Sequence, residues 1–150
     1  PLSAFSAVMA VEGIRFFSLQ KHHGLDQLPA FQQLHPDALV DLGQELDNGP
    51  DAFVDTAAVL SQLDLLITSD SAIAHLAGAL GCPTWVALCH SPDWRWLQTG
   101  AQCAWYPTMR LFRQQSPGDW ASCFAQIASA LSEFREQTSS TQPSRTEQTP

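Results

Sequence analysis

The chain is poor in charge. Charged residues make up 15% of its 150 positions, and of the seven basic residues one, Lys21, is a lysine. A net charge of −8 with no basic stripe gives nothing that would grip a nucleic acid or an anionic membrane. Long hydrophobic runs are missing as well. None approaches the ~20 residues needed to cross a bilayer, and no signal-peptide pattern opens the chain, so no membrane span and a cytoplasmic location are expected. The four cysteines form no C-x-x-C pair, and a domain of this size needs no disulfide staples, so they read as reduced thiols. His75, Cys82, Cys89 and His90 taken together fit no common zinc spacing, and no metal is expected.

Several catalytic signatures are absent. There is no G-x-G-x-x-G after a strand, which disfavours a dinucleotide oxidoreductase. There is no G-x-x-x-x-G-K-[ST] phosphate loop and no G-x-S-x-G nucleophile elbow. The chain opens at Pro1 without an initiator methionine, and reads as processed or cut from something longer.

What remains is apolar and periodic. Hydrophobic residues reach 45%, and 150 residues make one domain able to bury about two thirds of its unfolded surface. Helical spacing covers 3–13, 25–34, 51–63 (with Asp51 placed to cap), 71–80 (closed by Gly81) and 118–137. Branched and aromatic runs at 14–20, 38–43, 64–69, 84–89 and 109–114 read as strands. Helices alternating with near-continuous apolar strands predict an α/β fold, a Rossmann-like doubly wound parallel sheet, over residues 1–136. Residues 137–150 lack large apolar side chains and read as a disordered polar tail. A helix at residue 3 has no strand before it. If the five strands are the second to sixth of the order 3-2-1-4-5-6, the sheet lacks its first, central strand and exposes two unpaired edges.

The stretch "LDLLITSDSAIAHLAGALGCPTW" breaks its apolar course at Ser69, Asp70 and Ser71, the carboxyl end of a predicted strand, where parallel sheets bind ligands. Asp70 or Ser69 is placed to cap the next helix, whose free N–H groups suit a phosphate. Ser71 and His75 share one face of that helix, and the imidazole leans back toward the strand end. An equally open reading has Asp70 as a plain cap and His75 as a satisfied, half-buried side chain. Lys21 directly follows the strand at 14–20, which places an ammonium on the same edge; a solvated turn lysine is the alternative. In the loop "HSPDWRWLQTGAQCAWYP", Asp93, Trp94 and Arg95 could stack on a base or sugar and pair with phosphate. Equally, the tryptophans could pack the loop against a neighbouring domain.

With these residues in view, "LDLLITSDSAIAHLAGALGCPTWVAL" resembles the nucleotide-sugar-binding segment of heptosyltransferase-type (family nine) glycosyltransferases, whose pattern is Asp-Thr/Ser, three residues, then His. Adding "IRFFSLQK", "LVDLGQELD", "SPDWRWL" and "WYPTMRLFRQ", the chain resembles bacterial tetratricopeptide-repeat-linked glycosyltransferases related to O-linked N-acetylglucosamine transferase. The resemblance implies the second, donor-binding domain of a GT-B fold, inactive by itself. It implies donor contacts from Lys21, Ser69, Asp70, Ser71, His75, Asp93, Trp94 and Arg95, with His75 and Lys21 stabilising the leaving diphosphate. It also implies that the acceptor domain and general base lie outside this chain, and that no metal is needed, in keeping with the lack of a D-x-D pair. The nucleotide-sugar donor, the N-terminal GT-B domain and tetratricopeptide repeats are the implied partners. The competing expectation is a non-catalytic Rossmann-like interaction module.

Overall fold

The computed structural model describes residues 2–36 and 38–141. A 3-10 turn (Leu2–Phe5) leads into α1 (Ser6–Met9), β1 (Phe16–Ser18), α2 (Leu28–Leu34), β2 (Leu39–Asp41) and α3 (Val54–Leu60). The chain continues as β3 (Leu66–Ser69), α4 (Ala72–Ala79), β4 (Thr84–Leu88), β5 (Met109–Arg113) and α5 (Trp120–Thr141). The protein is α/β, with parallel strands in two sheets, an arrangement compatible with a Rossmann-like doubly wound fold.

The two sheets are β1–β2 and β3–β4–β5. Phe16 pairs with Leu39 in the first; Leu66 pairs with Thr84, and Thr84 with Met109, in the second. Strand β4, Thr-Trp-Val-Ala-Leu, is buried at all five positions. It has a strand on either side and helices over both faces, which is why a continuous apolar run, rather than an alternating one, was selected there.

Each face of the sheets carries its own core. On one, α5 lays Cys123, Phe124, Ile127 and Leu131 against Trp85, Ala87 and Phe112, and Val8 of α1 joins them. On the other, Ala74 of α4 packs with Val86, Leu88, Leu111 and Trp96. Nearer β1, Leu60 of α3 packs with Leu66 and Ala77, and Leu19 and Ile73 close over them. Between β1 and β3 the sheet is interrupted by a cavity of about 750 Å³, lined along its length by both strands.

Several boundaries differ from the sequence reading, each for a local reason. The expected helix at 3–13 is a 3-10 turn and one α-helical turn; its N-cap, Phe5, has no side chain able to bond the free amides. Helix α3 begins at Val54, not at Asp51. Its first amides are met by Asp47, whose Oδ1 accepts from Asp55 N (3.0 Å) and Thr56 N (3.3 Å), so Asp51 does not cap it. Strand β1 is three residues long because it has a single neighbour and β2 ends at Asp41. At the other terminus α5 continues through Thr141, and Thr138 Oγ1 donates back toward the Phe134 and Arg135 carbonyls (3.1 and 2.9 Å). The remainder of the expected tail, 142–150, lies outside the described residues.

Candidate functional site

The carboxyl end of β3 turns directly into α4. Ser71 occupies the N-cap position with extended backbone (φ −160°, ψ 165°), yet its hydroxyl does not cap the helix. Instead Ser71 Oγ lies 3.2 Å from Thr68 Oγ1 and donates to the Ser69 carbonyl at 3.2 Å. Neither Asp70 nor Ser69 takes over, which corrects the capping expectation; both are exposed. The reason is geometric. The hydroxyls of Thr68 and Ser71 engage one another across the turn, and Asp70 points to solvent. The first amides of α4, at Ala72 and Ile73, are therefore left without a side-chain partner at the positive end of the helix dipole.

His75 stands one turn further along. Its ring is stacked on Trp96 (centroids 5.1 Å apart, planes 24°) and set edge-on to Tyr106 (5.8 Å, 62°), with Nδ1 3.3 Å from Tyr106 Oη. The imidazole is half-buried, between solvent and the second core. Tyr106 reaches it because Gly78, one turn beyond on the same face, has no side chain: a Cβ there would stand 2.5 Å from Tyr106 Cγ. Sequence alone places Trp96 and Tyr106 in the aromatic loop without linking them to His75; the small Gly78–Ala79 surface beside it was the available signal.

That loop is anchored from below. Arg113, at the end of β5, donates from Nε to the Gly100 carbonyl (3.0 Å), from Nη1 to Leu97 (3.1 Å) and from Nη2 to Trp96 (2.6 Å). A planar guanidinium suits this three-point grip, and its partial burial pushes its pKa down from the ordinary value. Gln114 completes the anchoring: its Oε1 accepts from His90 N and Gly118 N, both at 3.2 Å. Neither residue was singled out from the sequence, because a strand-end Arg-Gln carries no motif.

Asp93, Trp94 and Arg95 form a closed set. Asp93 Oδ1 accepts from Arg95 N (3.0 Å), capping the 3-10 turn Trp94–Trp96, and lies 3.3 Å from Arg95 Nε. The guanidinium sits 5.9 Å from the Trp94 ring, which is 70% exposed. Lys21 follows β1 as expected, and its Nζ donates to the Leu46 carbonyl. Its charge also helps hold the Asp47 carboxyl below the usual range, although the Thr56 hydroxyl bond (2.5 Å to Oδ2) is the larger cause. The structure thus joins Ser69, Asp70 and Ser71 in one turn, His75 to the aromatic loop, and Asp93 to Arg95. Lys21 belongs to the neighbouring strand end, beyond the cavity. Of the eight expected residues, Ser69 lines that cavity, together with Thr68, Gln20 and His23 near its carboxyl mouth.

Among the described residues no group of three His, Cys, Asp or Glu side chains is placed to hold a metal ion, and no helix is long and apolar enough to cross a membrane. No protein-family model matches the chain, and no solved structure matches it. The chain is similar to Protein FlbA of Caulobacter vibrioides, at 34% identity over 95 residues. That stretch is 63% of this chain and spans 14% of the relative's length.

Proposed function

We propose that the chain is the nucleotide-sugar-binding half of a glycosyltransferase, with the donor diphosphate seated at the start of α4. The observation that carries this reading is the uncapped first turn of α4, flanked by the Thr68 and Ser71 hydroxyls at the mouth of a cavity. Amides aimed out of a helix N-terminus favour an anion by about 0.3–1 kcal/mol through the dipole, so further donors are needed. This reading assigns those donors to His75, one turn into α4, and to Lys21, at the end of the neighbouring strand, with Gln20 and His23 at the cavity mouth between them. In the transfer, an acceptor hydroxyl attacks the anomeric carbon, the bond to the diphosphate oxygen breaks, and the electron pair leaves on that oxygen. Donors fixed before the reaction would stabilise this developing charge. The acceptor-binding domain, and the general base that takes the proton of the attacking hydroxyl, belong outside this chain in this reading.

The test is calorimetric titration of the protein with UDP, GDP and ADP. Binding of one of them, weakened about tenfold by Lys21→Ala or His75→Ala, supports the site; tenfold is about 1.4 kcal/mol. Unchanged affinity in folded variants removes both residues from it.

A second reading, a non-catalytic interaction module, draws on different observations. The Arg95 charge is answered by Asp93, the Lys21 ammonium is engaged by a backbone carbonyl, and exposed Trp94 and Trp105 offer apolar surface to a protein neighbour. Absence of any nucleotide binding would favour it.

A further inference from the structure

The cavity between the two sheets has the features of a strand site. Its walls are β1 and β3, each at the edge of its own sheet. In a parallel ladder, alternate residues turn their N–H and C=O to the same neighbour. Phe16 N donates to Ala38 O (2.7 Å), so Phe16 and Ser18 face β2 and the backbone of Phe17 faces the cavity. Leu66 N donates to Pro83 O (2.9 Å), so Leu66 and Thr68 face β4 and the backbone of Ile67 faces the cavity from the other side.

The two edges run in the same sense. At one end Ile14 and Leu65, just before β1 and β3, pack into a common core; at the other, Leu19 and Ile73, just after them, do the same. Both faces of the gap are apolar: Phe5, Val8 and Phe124 on one, Leu63 and Ile73 on the other. A strand placed there would be covered on both sides, as β4 is.

The course of the amino-terminal residues says where such a strand comes from. Leu2 N donates to Gln27 Oε1 at 2.8 Å, and Gln27 immediately precedes α2, at the carboxyl edge of β1. From Leu2 the chain passes through α1 and reaches Ile14, at the amino edge. A strand lying in the gap parallel to β1 would end beside Leu2, and α1 would become the crossover helix of a right-handed β–α–β unit.

We propose that the gap between β1 and β3 is the seat of a parallel, two-faced apolar strand of about five residues, joined covalently to the amino-terminal end of this chain. It would pair with the backbone of Phe17 on one side and Ile67 on the other, merging the two sheets into one of six strands. The inference stands independently of the diphosphate reading.

The experiment compares this chain with one extended by about fifteen residues of its own gene upstream of Pro1, by hydrogen exchange and thermal melting. The extension should slow exchange at the Phe17 and Ile67 amides about a hundredfold or more and raise the Tm by roughly 5 °C or more. Proline at the centre of the extension should abolish both effects. Unslowed exchange at these amides with the native extension in place overturns the proposal. So does protection in the unextended chain that grows with protein concentration, which would assign the gap to a second copy.

Discussion

The imidazole of His75 lies against the indole of Trp96, ring centroids 5.1 Å apart, and ties the helix after β3 to the loop after β4. Trp96 is 1% exposed, and its Nε1 has no hydrogen-bond partner. Its contribution is therefore packing. Trp96→Ala should cost about 3–5 kcal/mol in urea unfolding. Tyr106→Phe, which removes only the hydroxyl facing His75, should cost about 0.5–1.5 kcal/mol.

Gly78 makes a sharper case. Alanine favours a helix interior by about 1 kcal/mol over glycine, so propensity alone predicts that Gly78→Ala stabilises α4. Contact predicts the reverse, since the added methyl would meet Tyr106 Cγ at 2.5 Å and Met109 Cε at 2.7 Å. Overpacking of this kind costs about 1–3 kcal/mol, so net destabilisation is expected. The double variant with Tyr106→Ala should show strong non-additivity, because the closest clash is then gone and only the flexible end of Met109 remains to give way.

Asp47 gives a pH dependence. Thr56, through its hydroxyl, holds the Asp47 carboxyl below the ordinary carboxylate value, and the Asp55 and Thr56 amides add to this. A carboxyl that binds its proton more weakly when folded stabilises the fold fully above the ordinary carboxylate pKa and loses that contribution as the pH falls through and below it. Asp47→Ala should therefore be less stable than the parent at neutral pH, with the difference shrinking in acid. Denaturation midpoints of both proteins across pH 7 to about 3 check this. Asp51→Ala should leave stability unchanged.

The cysteines should separate by reactivity. Cys123, on the face of α5 turned to the sheet, is fully buried, and burial pushes its thiol up to about 11, with Asp119 adding to the shift. Cys89 is exposed and Cys103 is buried. Alkylation of the folded protein at mildly alkaline pH, read by peptide mass mapping, should modify Cys89 first and leave Cys123 untouched until denaturant is added. Early labelling of Cys123 would contradict its placement.

The regular elements were legible because their signals are local. The apolar run of β4 and the helical spacing of α5 follow from burial on two sides and on one, and the Ser-Asp-Ser break after β3 from the exposure of the turn. The unpaired edges of β1 and β3 were legible too, from a helix standing where a strand was due. Side-chain partnerships were not. Asp47 meets the first turn of α3 from eight residues upstream, and Arg113 grips carbonyls 13 to 17 positions away. Such contacts depend on how loops return over the sheet, which no periodicity encodes. The same holds for the cap of α4. Asp70 has the right type and place, but Thr68 and Ser71 bond each other instead.

In the proposed function an anionic diphosphate is held by the first turn of α4. This is tested most directly by amide chemical-shift mapping as the isotopically labelled protein is titrated with UDP or GDP. Saturable shifts are expected, centred on Ser71, Ala72 and Ile73 and reaching His75, and diminished in His75→Ala. Saturable shifts confined to another surface, or none with any nucleoside diphosphate on the strand-completed protein, would contradict the proposed function.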